Sequence, residues 1–190
     1  MTGTGIVIGA DGRSRCFWGG GSPDYTEYHD SEWGQPVRGD DALFERLTLE
    51  AFQSGLSWIT ILRKRPAFRA AFAGFSIAKV AEFTETDAER LMADPGIVRN
   101  RMKVDAALHN ARVAVELDLT DLLWSFAPPA RPRPRTRADV PAVTPESTAM
   151  AKALKKRGFK FVGPTTAYAL MQATGMVDDH LTDCWVPVMR

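Results

Sequence analysis

The sequence predicts an all-α fold, on three observations. No stretch of its 190 residues sustains a period-two alternation, apolar residues recur at helical spacings between recognisable caps, and no internal repeat or compositional break marks a second unit. A composition of 45% hydrophobic and 25% charged residues is that of one globular domain. A chain of this length buries roughly 70% of the surface it exposes when unfolded, so any metal it holds needs a local reason.

Residues 1–14 are glycine-rich and aperiodic and read as a loose N-terminal extension, with a single domain over 15–190. Asp40-Asp41 offers an N-cap to a helix whose stripe is Leu43, Phe44, Leu47 and Ala51, stopping near Ser54-Gly55. Ser57 caps a short helix through Leu62, Pro66 opens one through Phe72, Ser76 one through Phe83, and Thr86 one through Met92. Asp94-Pro95-Gly96 makes a tight turn into a long helix with the inner stripe Val104, Ala107, Leu108, Ala111 and Val115. Residues 127–145 hold six of the twelve prolines and read as an extended loop. Thr144-Pro145 then opens a helix ending at Gly158, and a last helix runs from Pro164 to Gly175.

No run approaches the roughly 20 apolar residues of a membrane span, and residues 1–8 lack the basic start and apolar stretch of a signal peptide. The expectation is a cytoplasmic protein whose two cysteines stay reduced. A net charge of +1 says little about partners. Basic residues nonetheless cluster at Arg63-Lys64-Arg65, at Arg99, Arg101 and Lys103, at Arg131, Arg133, Arg135 and Arg137, and at Lys152, Lys155, Lys156, Arg157 and Lys160. Each alone is a solvated helix end or loop; several on one face would make a nucleic-acid footprint.

Three groups of residues carry chemistry. Cys16 and His29 stand near the start with twelve residues between them, His180 and Cys184 near the end with three between, and together they are a complete tetrahedral ligand set for zinc. The spacing is not that of a zinc finger, and separate buried thiols with surface imidazoles are the alternative. Pairing of one Cys and one His at each end favours the metal, which would be structural because four protein ligands leave no open position. Second, Trp18, Tyr25, Tyr28 and Trp33 are four of the chain's eight Trp and Tyr residues. They fill a core around the metal, the reading preferred for Trp18, or their faces stack on a purine and attract a cationic ring. Third, Glu50 lies on the apolar stripe of its helix and so points inward. A buried carboxylate forms a structural ion pair or lines a pocket, and Trp58 follows close by.

These residues carry a resemblance. Tyr28-His29-Asp30-Ser31-Glu32-Trp33-Gly34, Leu49-Glu50 followed by Gly55-Leu56-Ser57-Trp58-Ile59-Thr60, the run 154–163 from Leu154 to Gly163, and Asp179-His180 with Cys184 resemble the bacterial type I 3-methyladenine DNA glycosylases of the helix-hairpin-helix superfamily. The likeness spans residues 16 to 184. It implies one structural zinc per chain on Cys16, His29, His180 and Cys184. It also implies a base pocket of Glu50, as an ionised catalytic carboxylate, with Tyr28, Trp58, Tyr25 and Trp33. It further implies a DNA-binding hairpin at Asp94-Pro95-Gly96-Ile97-Val98, whose backbone amides meet phosphate oxygens. The partner so implied is double-stranded DNA containing an alkylated purine, handled by a monomer with no lyase step. Two features depart from the family pattern: Asp178 stands where Asn is common before the Asp-His pair, and the 127–145 loop is unusually rich in Arg and Pro. The superfamily's downstream catalytic Asp has no convincing counterpart in Asp105 or Asp118. Two rival classes remain, a non-catalytic nucleic-acid module and a zinc hydrolase. Glu50 on an apolar stripe argues against the first, and a closed ligand shell against the second.

Overall fold

The computed structural model describes residues 5–188. Residues 1–4 and 189–190 lie outside that range. Its helices are α1 (Pro23–Ser31), α2 (Asp40–Gln53), α3 (Trp58–Ala71), α4 (Ile77–Ala81), α5 (Glu85–Ala93), α6 (Arg101–Ala114), α7 (Leu119–Trp124), α8 (Pro145–Lys156) and α9 (Pro164–Ala173). Short 3-10 turns lie at Ala73–Phe75 and Arg137–Asp139.

The fold is mostly helical but not wholly so. Strands β1 (Ile6–Ile8) and β2 (Ser14–Cys16) pair antiparallel, Ile6 opposite Cys16, so that β1 falls within the 1–14 stretch expected to be a loose extension. Three-residue strands are too short to register as an alternation. Long-range contacts secure the hairpin instead. Arg15 bonds Asp11 and Asp30, the Trp185 amide donates to the Ser14 carbonyl at 2.8 Å, and the Ser14 hydroxyl donates to that of Asp183 at 2.6 Å.

Helix α2 is the axis of the core. Leu43, Phe44, Leu47, Leu49 and Phe52 are essentially inaccessible, and the helix packs on α3, α6, α7 and α9. Its start is the cap expected at Asp40-Asp41 used differently. Gly39, at φ 97°, is the N-cap, while Asp40 accepts the Thr120 amide at 2.8 Å and Asp41 accepts that of Ile77 at 2.8 Å, holding α7 and α4. Phe52 meets Phe68 edge-on, and Phe68, Phe72 and Phe75 stack in sequence across the end of α3.

Pro66 does not open a new helix; it lies inside α3. A proline there removes one helical hydrogen bond, and burial of Ile61, Phe68 and Ala71 along the same helix carries it through. Helix α5 is capped by Thr84 rather than Thr86, because Asp87 is placed to accept the Thr84 amide at 2.9 Å. Val115 falls beyond the last turn of α6 and is 46% exposed, unlike the rest of its stripe. Helix α7, capped by Asp118, was not anticipated. Asp118 is thereby engaged as a cap, and Asp105 pairs with Arg101 at 2.8 Å on the surface, so neither is a spare carboxylate.

The loop after α7 is held to the C-terminal segment. Arg131 reaches Asp179 at 2.9 Å, and Arg133 reaches Asp178 at 2.8 Å. The two departures from the family pattern therefore meet in one ion pair.

Candidate functional site

A cavity of about 390 Å³ opens where α1, α2, the first residue of α3, α9 and the C-terminal segment converge. Glu50, Tyr28, Trp58, Tyr25 and Trp33, the five pocket residues expected from sequence, all line it. Helix α1 supplies Tyr25 and Tyr28 from successive turns, with Ser22 accepting the Tyr25 amide at 3.3 Å to cap it. Trp58 opens α3, and the Tyr25 hydroxyl accepts the next amide of that helix, from Ile59, at 3.1 Å, tying the two aromatic walls together. Tyr28 and Trp58 rings lie 5.5 Å apart at 43°, an open wedge rather than a closed stack.

Glu50 is 6% exposed and, among the described residues, has no hydrogen-bond donor or ion-pair partner. The nearest cation, Arg46 one turn earlier, pairs with Glu32, which also holds Arg65. Burial pushes the Glu50 carboxyl up to about 8, with Arg46 opposing only in part. In the ligand-free protein this favours the neutral acid, while the expected ionised form belongs to the complex with a cationic base. Burial, reinforced by Glu50, likewise pushes the Tyr28 phenol well above its ordinary range. A second polar group is left unmet: the Trp58 indole N–H is buried without a partner.

Trp18, read from sequence as core, also lines this cavity and joins its walls. Its ring lies edge-on to Trp33 and His29 at 5.0 Å each and to Tyr25 at 5.9 Å. Gln53, Gln172, Asp179, Phe17 and Arg137 line it too, a place the sequence reading gave to none of them. Gln53 stands three residues after Glu50 on the same helix face and was legible by that spacing. The others come from distant segments and leave no local signal.

Behind this wall, ligand atoms of Cys16, His29, His180 and Cys184 all lie within 4.8 Å of one another, and all four residues are buried. Cys184 Sγ is 3.5 Å from His29 Nε2 and 3.5 Å from His180 Nδ1, and Cys16 Sγ is 3.8 Å from His180 Nδ1. Tetrahedral zinc, with bonds of about 2.3 Å to sulfur and 2.0 Å to nitrogen, spaces such atoms at roughly 3.5 Å. Each imidazole has its outer nitrogen committed. His29 Nδ1 meets the Asp30 carboxylate at 2.8 Å, and His180 Nε2 meets the Trp33 carbonyl at 3.1 Å, so the inner nitrogens face the cluster. Glycines make room for both rings. A Cβ on Gly19 would sit 2.6 Å from the His29 ring, and one on Gly34, at φ 81°, would sit 3.2 Å from His180 Nε2. The Cys184 thiol is held far below its ordinary value, chiefly by the hydrogen bond from Cys16 and then by those to His180 and His29. Donor types, spacing and ring orientation fit zinc.

Near the other end of α3, Asp94 Oδ1 accepts the Gly96 amide at 2.7 Å, and Lys64 Nζ donates to the Pro95 and Gly96 carbonyls at 2.9 and 3.1 Å. The turn is thus fixed from both sides before Asn100 caps α6.

Residues 18–187 match the family described as methyladenine glycosylase. The chain is 46% identical to the DNA-3-methyladenine glycosylase 1 of Escherichia coli K12 over 177 residues, covering 90% of this chain and 95% of that one. A crystal structure of 3-methyladenine DNA glycosylase I superposes with a TM-score of 0.87 at 45% identity, covering 90% and 98% of the two chains. The Staphylococcus aureus 3-methyladenine DNA glycosylase I, solved to explain 3-methyladenine recognition, does so with a TM-score of 0.84 at 38% identity, covering 88% and 93%.

Proposed function

The chain belongs to the methyladenine glycosylase family, and on that premise we propose that it excises 3-methyladenine from alkylated DNA with Glu50 as the residue that holds the damaged base. The observation that carries the reading is the buried Trp58 N–H left without a partner beside the desolvated Glu50 carboxyl, both set in an aromatic cavity of ligand size. A buried polar group without a partner costs free energy in the empty protein, which a ligand of matching polarity recovers.

In this reading a monomer binds duplex DNA through the fixed turn at Asp94–Gly96 and the amides around it, the helix-hairpin-helix mode. The damaged nucleotide rotates out, at a lower unstacking cost than a sound base. Tyr28 and Trp58 take the faces of the ring, Tyr25 and Trp33 close its edges, and the charge of the cationic purine favours loss of the Glu50 proton to solvent, so that the carboxylate then accepts a hydrogen bond from the base. Methylation at N3 leaves the base positively charged. When the N9–C1′ bond breaks, its electron pair neutralises that charge and 3-methyladenine leaves uncharged. Water adds to the electron-poor C1′ and gives its proton to solvent. Among the described residues no lysine lines the cavity, in keeping with hydrolysis without a lyase step.

The Cys2His2 cluster would hold one zinc ion, whose contribution when bound is a cross-link between the N- and C-terminal segments. The chain's own residues then do the positioning. His29 underlies Trp18, and His180 carries both the Trp33 ring at 4.8 Å and its carbonyl. No helix of the described residues is long and apolar enough to cross a membrane, and we place the protein in the cytoplasm, where its DNA substrate lies.

Incubation with randomly methylated DNA, followed by identification of the released bases, tests the activity: 3-methyladenine is expected, and none from well-folded protein would refute it. Elemental analysis tests the metal. One zinc per chain is expected, and Cys184→Ser should lose it and melt earlier; unchanged zinc and melting would refute the assignment.

A further inference from the structure

We propose that Arg137, from the Arg- and Pro-rich loop, grips a backbone phosphate of the DNA at the rim of the base cavity. The residue lines the cavity yet is exposed, as is Phe17 beneath it at 38%. Its guanidinium lies 4.5 Å over the Phe17 ring, a cation-π contact that fixes an otherwise mobile side chain. Its backbone is fixed as well. Asp139 accepts the Thr136 amide at 2.8 Å and the Thr136 hydroxyl at 2.9 Å, closing the turn around Arg137.

Among the described residues Arg137 has no carboxylate partner. Asp139 is occupied in its own capping box. Asp179, in the same cavity lining, already takes donors from Tyr168, Gln172 and Arg131. The cation acting on Glu50 is Arg46 rather than Arg137. Two earlier arginines of the loop, Arg131 and Arg133, are spent on Asp179 and Asp178. Arg137 is therefore a positioned cation with its charge unanswered.

A cation at the mouth of a pocket for a cationic base would oppose binding unless an anion arrives with the base. A flipped nucleotide brings two, the phosphates on either side of its sugar, and these remain outside when the base enters. A planar guanidinium held by stacking is suited to a phosphate oxygen pair. The inference rests on the glycosylase reading for its substrate, but its test does not need excision.

Arg137→Gln and Arg137→Lys should be compared with the unaltered chain for binding to an undamaged duplex across a range of salt, and for binding of free 3-methyladenine followed by tryptophan fluorescence. For Arg137→Gln we expect severalfold weaker duplex binding and a slope of log K against log salt that is smaller by about 0.9, the loss of one phosphate contact. Arg137→Lys should keep the slope, and free-base affinity should be unchanged in both. An unchanged slope in Arg137→Gln overturns the proposal. So does a fall in free-base affinity equal to the fall in duplex affinity, which would make Arg137 a wall of the base pocket. If no base is released from methylated DNA by any form, the glycosylase reading fails while the slope still decides the phosphate contact.

Discussion

Two walls of the same cavity each present a buried carboxylate, and they are built in opposite ways. On the C-terminal wall Asp179, whose side chain is 1% exposed, accepts from the Tyr168 hydroxyl, from Gln172 Nε2 at 2.9 Å and from Arg131 at 2.9 Å. On the α2 wall Glu50 accepts from nothing, and the cation beside it is bound to Glu32. A satisfied buried network fixes structure, whereas an unsatisfied member marks where a ligand is awaited. The difference suits Asp179 to architecture and, on the proposed reading, Glu50 to chemistry.

The comparison breaks first at Asp179. Asp179→Asn leaves the part-exposed Arg131 without its counter-charge and weakens the acceptor for Tyr168 and Gln172, and should destabilise the fold by roughly 1 to 3 kcal/mol. Single-turnover excision per folded molecule should stay near normal. Urea melts and excision on one preparation decide this, and a stable but inactive variant would reverse the assignment.

Glu50→Gln should do the reverse. Excision should fall on the order of a hundredfold, as when one preorganised electrostatic contact is removed, while zinc content is kept and thermal stability is equal or higher. A variant that melts early yet excises normally would make Glu50 structural after all.

Smaller in size but sharper is the pH dependence. With the ligand-free carboxyl at about 8, kcat/KM should climb up to tenfold per pH unit below that value and level off above it, and Glu50→Gln should show no such limb. Stability runs the other way. The folded chain keeps a proton that the unfolded chain releases from its ordinary value of 4.5 upward, so stability should decline between 4.5 and about 8, by at most about 5 kcal/mol, and be flat beyond. Thermal melts across that range should show the decline in the unaltered chain and a shallower one in Glu50→Gln. Equal slopes would mean that Glu50 is ionised throughout.

Much of this architecture was legible locally. Thr144-Pro145 and Pro164 mark helix starts because capping and a fixed proline φ act within a few residues. The stripe of α2 put Glu50 inward, and the Cys and His pairs at the two ends pointed to the four residues that the fold gathers into one buried cluster. Where local rules failed, a longer contact had outvoted them. Pro66 was absorbed by a helix whose buried face continued past it, and residues 6–16 became a hairpin because Asp30, Asp183 and Trp185 anchor it. What no local pattern could state was the ionisation and partnering of the two acids. Whether Arg46 would serve Glu50 or Glu32, and whether Arg131 and Arg133 would face DNA or fold back on Asp179 and Asp178, depends on which distant segments meet. Sequence alone fixed periodicity, caps and residue chemistry, since these act over one or two turns of chain. Charge partnering and desolvation act through space between segments as much as 48 residues apart, and only the tertiary structure decided them.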